Sequence, residues 1–302
     1  MRDYQLIEKN KKKTLGFIIF FCLLITILVF TISYLFSPES AYLLSGLALL
    51  LAFFGSFFSY YYSDQILLKM ANAHPVNPNE DHYLHHTIEG VAIAAGLPVP
   101  KAYIIETDIP NAFATGRNPE NAAIAVTRGL LQIMNREELE GVLAHEMAHI
   151  KNYDILFSSI AIVLAGTIVY LATFVRRSIF YGSSKQRQEK NNANPILIVL
   201  GLLTIIFAPL IAKIIQLAFS RSREYLADAT AARLLGYPLG LASALEKLAT
   251  NQKPKQASRE GFANEATVGL FIINPFTRNF NTDSIFSTHP PLEQRIEILR
   301  KM

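Results

Sequence analysis

The chain has 302 residues, of which 51% are hydrophobic and 17% charged, with a net charge of +4 and a mean hydropathy of +0.26. An average soluble domain carries about 25% charged residues, so this balance argues for lipid-facing segments and against a basic nucleic-acid groove. The single cysteine, Cys22, excludes an intrachain disulfide, and the lack of any Gly-Lys dipeptide excludes a Walker-type ATP site on this chain.

In chain order, Lys11, Lys12 and Lys13 precede an apolar run at 14–36, and a second run follows at 41–62. Each reaches the roughly 20 residues that cross a bilayer as a helix, and the short gap makes the two a hairpin. The first run is long for a signal-peptide core and ends at Leu35-Phe36-Ser37-Pro38-Glu39 without a small-residue cleavage pattern. The positive-inside rule puts the basic tail, 1–13, in the cytoplasm, and two crossings return the chain there near Ser63. Residues 63–154 are mixed and read as soluble. A helix is expected at 82–95, strands at 101–106 and 122–127, and a shorter extended piece at 111–116, with turn residues from Gly116 to Asn121.

Asn135, with Glu138 three residues on, is a capping-box start for the next helix. Two further apolar runs, 155–175 and 195–219, flank a basic loop at 176–194. The part at 220–302 opens with a helix over 220–235 and a stop at Gly236, and ends with a short helix over 291–301. The expected architecture is a mainly α integral membrane protein with a small β-sheet and four candidate transmembrane helices.

The chemistry is concentrated in His145-Glu146-Met147-Ala148-His149. Histidines four apart on a helix project from one face, so His145 and His149 are spaced to bind one Zn²⁺. Glu146 is then beside the metal, where it can take a proton from a metal-bound water as that water attacks a peptide carbonyl. The flanks Gly141-Val142-Leu143-Ala144 are small or apolar, so the helix is buried, where unpaired histidines are costly. A catalytic zinc needs a third protein ligand. The extended H-E-x-x-H-x-x-G-x-x-H form is absent, because Asn152 occupies the glycine position. Glu224, four residues before Asp228, is the candidate: Glu224 as ligand and Asp228 as acceptor of a ligand imidazole's second N–H. The plain alternative is a charged helix segment below the membrane.

Taken together, these motifs resemble the HtpX family of membrane-bound zinc metalloproteases, related to the CAAX prenyl proteases. The resemblance rests on the hydrophobic hairpin, Asn111-Ala112-Phe113-Ala114-Thr115-Gly116, the H-E-x-x-H run, two further apolar segments, Ser220-Arg221-Ser222-Arg223-Glu224-Tyr225 and Ser287-Thr288-His289-Pro290-Pro291. It implies a zincin-like endoprotease with one zinc per chain on His145, His149 and Glu224. It also implies ATP-independent quality control of damaged membrane proteins, in the cell membrane, with the active site on the cytoplasmic side. No nucleic-acid or ATP partner is expected.

Other residues carry expectations of their own. Asn111, Ala112, Phe113 and Ala114 are expected to form a strand edge facing the metal, to which an extended substrate adds as a further strand. His289 is either the cap of the terminal helix or a donor to the oxyanion, a role the resemblance favours, though Arg223 beside Glu224 is an alternative donor. Asp154 either supports the site or caps the third apolar run. His74, His82, His85 and His86 read as solvent-facing. His149 and Glu224 can share a metal only if the chain between them crosses the membrane an even number of times. The length of the runs at 155–175 and 195–219 favours two crossings, against the charge of the loop between them. The rival functions are a prenyl-protein protease, which ordinarily has more spans, and a scaffold with structural zinc. A structural site ordinarily has four ligands, and it leaves Glu146 without a role.

Overall fold

A computed structural model describes residues 2–166, 221–251, 270–273 and 290–302. Helix α1 (Arg2–Phe36) is continuous from the basic tail into the first apolar run. The tail is therefore its first turns rather than a separate segment, since Lys, Leu and Glu are good helix formers and no Gly or Pro interrupts them. Pro38 at the first position starts helix α2 (Pro38–Met70). Within these two, Ile7–Thr31 and Pro38–Met70 are long and apolar enough to cross a membrane, each holding an 18-residue stretch of high mean hydropathy, 2.7 and 2.0. Large side chains such as Phe20, Leu23, Ile27, Leu50, Phe54 and Phe57 are exposed, while Ser45, Ala52, Ser56, Ser59 and Ser63 are buried. In lipid this is the expected arrangement, because small residues let the helix backbones approach and the large ones face the acyl chains. Cys22 Sγ sits 3.8 Å from Ser56 Oγ at that contact.

A four-stranded sheet follows, built from β1 (Ala73–Pro75), β2 (Lys101–Ile105), β3 (Ala112–Gly116) and β4 (Ala122–Thr127), in the order β1-β2-β4-β3. Strands β2 and β4 are parallel, and the two edge pairs are antiparallel. Every residue of β4 is buried because both faces are covered. On one face Ile124 and Val126 join a core with Leu84, Ile88 and Val91 of α3 (His82–Ala95) and Leu139, Leu143 and Met147 of α5 (Arg136–Lys151). On the other, Ala123 and Ala125 meet Leu68 at the end of α2, Phe113 and Phe271. A short helix α4 (Arg128–Ile133) precedes α5.

The expected capping box of α5 is present: Asn135 Oδ1 accepts from the Glu138 N–H at 2.9 Å, and Glu138 Oε2 accepts from the Asn135 N–H at 2.8 Å. Glu138 also accepts from Ser243 Oγ and Lys247 Nζ of α8 (Pro238–Thr250), tying the two helix ends together. Gly141 and Gly240 allow α5 and α8 to touch: a Cβ on Gly141 would lie 2.6 Å from the Leu241 nitrogen, and one on Gly240 would lie 2.5 Å from the Glu137 carbonyl. The sequence reading missed α8, because its apolar residues follow Gly236 and Pro238 in a stretch that reads as a stop.

Helix α6 (Asp154–Gly166) begins one turn after α5 and is almost wholly buried. It covers the start of the third candidate span. The fourth span and the basic loop 176–194 lie outside the described residues. Helix α7 (Arg221–Leu235) ends at Gly236, whose φ of 65° is left-handed, as the sequence suggests. The chain closes with α9 (Leu292–Arg300).

Candidate metal centre and active site

Helix α5 presents His145, Glu146 and His149 on its buried side, and α7 places Glu224 opposite them. His145 Nε2 and His149 Nε2 are 3.2 Å apart, and each lies 3.6 Å from an oxygen of Glu224. One ligand atom from each of the three lies within 4.8 Å of the others, the only such group of three among the described residues. The far side of each ring is held by a carboxylate. His145 Nδ1 lies 2.9 Å from Asp228 Oδ1, and His149 Nδ1 lies 3.1 Å from Asp154 Oδ2.

Ionised carboxylates only accept hydrogen bonds, so each Nδ1 donates to its carboxylate and each Nε2 faces Glu224. Two ring nitrogens and a carboxylate then converge, a set that takes up positive charge, either a proton on His145 or a metal ion. Burial works against a charge on His145, yet Asp228 and Glu224 hold its pKa up at about 9. The pocket is built for positive charge. Tetrahedral zinc with Zn–N bonds of about 2.0–2.1 Å needs nitrogens about 3.3 Å apart, which the observed spacing matches. Two imidazoles and one carboxylate are also a normal donor set for a catalytic zinc, leaving the fourth position open.

Glu146 is 2% exposed. Burial holds its carboxyl above the ordinary range, opposed by the two histidines and by a hydrogen bond from the Ala114 N–H of β3. A more basic carboxylate is a better acceptor for a proton from water. Residues 112 and 114 of β3 direct their main-chain groups away from β4: Ala112 meets Ile272, and Ala114 meets Glu146 on α5.

Of the expected strand edge, Ala114 lines the cleft with Glu146 and both histidines. Phe113 turns its ring to the opposite face, edge-on to Phe271 at 5.3 Å. The Ala112 carbonyl accepts from the Ile272 N–H at 3.1 Å, and Asn111 Nδ2 donates to the Ile273 carbonyl at 2.9 Å. Residues 270–273 of the chain itself therefore occupy the first part of the edge. Arg223 lines the cleft and lies 3.9 Å from Asp154, so Asp154 supports the site as well as opening α6. His289 lies outside the described residues. His85 and His86 pair with Glu89 on the surface.

The sequence reading missed Arg295. It is 0% exposed and donates from Nε and Nη2 to both oxygens of Asp228, at 2.8 and 2.7 Å. Its Nη1 lies 3.5 Å from Glu224 Oε2 and 3.4 Å from the Ile272 carbonyl. Burial raises the pKa of Asp228, but Arg295 and His145 outweigh it and hold the carboxyl below its ordinary value. Asp228 is thus an anion that grips His145, itself gripped by Arg295. One signal was available: Leu292, Arg295, Ile296 and Leu299 follow the spacing of a core-facing helix stripe, with an arginine inside it.

A buried helix with two histidines and a glutamate, completed by a glutamate from a second helix and joined to two apolar membrane-length helices, defines a membrane metalloprotease. The chain belongs to peptidase family M48, whose model matches residues 78–302. Similar proteins include a protease HtpX homologue of Thermoanaerobacter pseudethanolicus, 45% identical over 99% of this chain and 97% of its own length. Another, from Pyrococcus furiosus, is 48% identical over 86% of this chain and 89% of its own. Among solved structures, the crystal structure of S. mikatae Ste24p matches with a TM-score of 0.49 at 21% identity, over 91% of this chain and 61% of that one.

Proposed function

We propose that the protein is a zinc endopeptidase of the cell membrane that hydrolyses damaged or misfolded membrane proteins without ATP, with its active site on the cytoplasmic side. The observation that carries this reading is the convergence of His145, His149 and Glu224 beside the buried Glu146. His145, His149 and Glu224 hold the metal, while Asp228 and Asp154 fix the two imidazoles. Zinc, when bound, supplies a Lewis acid that acidifies water and polarises a peptide carbonyl. Glu146 accepts the proton of the attacking water and passes it to the departing amine. His289 donates to the oxygen on which charge develops. An extended substrate pairs along β3 from the Ala114 carbonyl onwards, past the point where Ile272 engages Ala112 and beyond the Ala114 N–H held by Glu146. Main-chain pairing of that kind reads few side chains and suits varied unfolded substrates.

Support for the cytoplasmic side comes from α1. Its lysine-rich start follows the positive-inside rule, and Asn10 in that same stretch touches Asp154 at the site. The candidate spans at 155–175 and 195–219 complete four crossings in this reading. The test is cleavage of casein or an unfolded membrane protein by the detergent-purified chain. Glu146→Gln is expected to retain one zinc and lose at least about 10²–10⁴-fold in rate. Turnover by that variant at the wild-type rate rules the mechanism out.

A further inference from the structure

The start of α1 does more than face the cytoplasm. Asn10 Nδ2 spends its two hydrogens on Asp154 Oδ1, at 2.9 Å, and on the Asn152 carbonyl, at 2.8 Å. The other oxygen of Asp154 holds His149 Nδ1 at 3.1 Å. A chain of hydrogen bonds therefore runs from the first membrane helix to a metal ligand, bridging 144 positions of sequence by way of Asp154.

The turn that presents Asp154 needs such a hold. Tyr153, between α5 and α6, has a φ of 58°, in the left-handed region that a bulky side chain adopts only when its surroundings impose it. Helix α1 braces this turn from one side. Asn10 takes the Asn152 carbonyl, Lys11 Nζ lies 4.8 Å from the centre of the Tyr153 ring, and Lys13 Nζ lies 4.3 Å from that of Phe157. Asn10 itself is set by its helix, where its carbonyl accepts from Thr14 Oγ1 at 2.9 Å. A merely topological basic tail needs only charge. It needs no amide donating to a buried carboxylate.

We propose that Asn10 is a positioning residue of the metal centre: through Asp154 it fixes the orientation of His149, so that the membrane hairpin and the metal site are mechanically one unit. The inference rests on the zinc reading above. Asparagine suits the role because its amide satisfies Asp154 without neutralising it, leaving the carboxylate a full acceptor for the histidine.

The test uses the full chain in detergent, with zinc affinity measured by chelator competition and the ligand field read from the visible spectrum of the cobalt-loaded protein. Asn10→Ala is expected to weaken zinc binding about 3–10-fold and shift the cobalt bands, with the metal-free chain still folded. Asp154→Ala is expected to cost about 10–100-fold, as loss of a ligand's supporting partner does. Adding Asn10→Ala to Asp154→Ala should then cost nothing more. Asn10→Asp, which sets a second carboxylate against Asp154, should be worse than Asn10→Ala. The proposal is overturned if Asn10→Ala lowers the melting temperature of the metal-free chain yet leaves zinc affinity and the cobalt spectrum unchanged, since that describes a helix anchor only. It is equally overturned if the losses from Asn10→Ala and Asp154→Ala add independently. A wild-type chain that takes up no zinc sinks the parent reading as well, which separates the two failures.

Discussion

The membrane hairpin and the metal centre bury opposite things. Helices α1 and α2 turn Phe, Leu and Ile outwards and bury serines, alanines and a cysteine. The centre formed by α5, α7 and α9 buries His145, Glu146, Glu224, Asp228 and Arg295. Both follow one rule, that a group is placed where its alternatives cost more. In lipid, a large apolar side chain gains nothing by turning inwards, so packing selects small residues at the contact. In the catalytic part, a buried charge survives only when others hold it. The hairpin is thus a set of many small contacts, whereas the centre is one network in which each charge depends on its neighbour.

That contrast is broken most severely at Arg295. Replacing it with Met leaves Asp228 buried beside Glu224 without its bidentate partner, and loss of one member of a buried pair costs about 3–5 kcal/mol. Chemical denaturation of the metal-free chain in detergent should show this, and Arg295→Met with Asp228→Asn should recover much of it. A single Arg295→Met variant as stable as wild type would mean that the network is not one unit.

Next in size are the ligands and their supports. Glu224→Ala should abolish stoichiometric zinc, while Asp228→Ala should weaken zinc about 10–100-fold and leave it measurable. Full zinc content in Glu224→Ala would show that another residue is the third ligand.

The pH dependence sharpens the comparison at His145, the buried imidazole of the centre. The pKa of His145 in the metal-free fold is about 9, above the ordinary 6.5. Its pairing with Asp228 therefore stabilises the metal-free fold fully below pH 6.5, and that contribution is lost as pH rises through 9. Zinc on Nε2 must displace the second proton of that imidazolium while Nδ1–H stays on Asp228, so zinc affinity should rise about tenfold per pH unit from neutrality up to that value and then level off. An affinity flat over that window would contradict the charge balance described for the pocket.

The smallest effect belongs to the hairpin. Ser56→Leu forces a large side chain into the α1–α2 contact beside Cys22 and should cost about 1–3 kcal/mol. Phe54→Leu, on the outer face, should change stability by no more than about 0.5 kcal/mol. Equal tolerance at the two positions would mean that the helices do not pack through this stripe.

Much of the site was legible in the sequence because its chemistry is local. His145, Glu146 and His149 share one helix, and helical spacing alone aims them together; Glu224 and Asp228 announce themselves in the same way four residues apart. The hairpin was legible because crossing a bilayer demands a length and an apolarity that few other structures need. The capping box at Asn135 and the stop at Gly236 were legible because each satisfies a rule of backbone geometry at that very residue. Tertiary structure alone decided which distant groups complete the centre. Arg295 reaches Asp228 across 67 positions, and Asn10 reaches Asp154 across 144. Residues 270–273 take the first part of the β3 edge, which the sequence presents only as open strand. No local pattern encodes such pairings, because a buried charge or amide is satisfied by whatever the fold brings beside it, and that choice is made only when the helices pack.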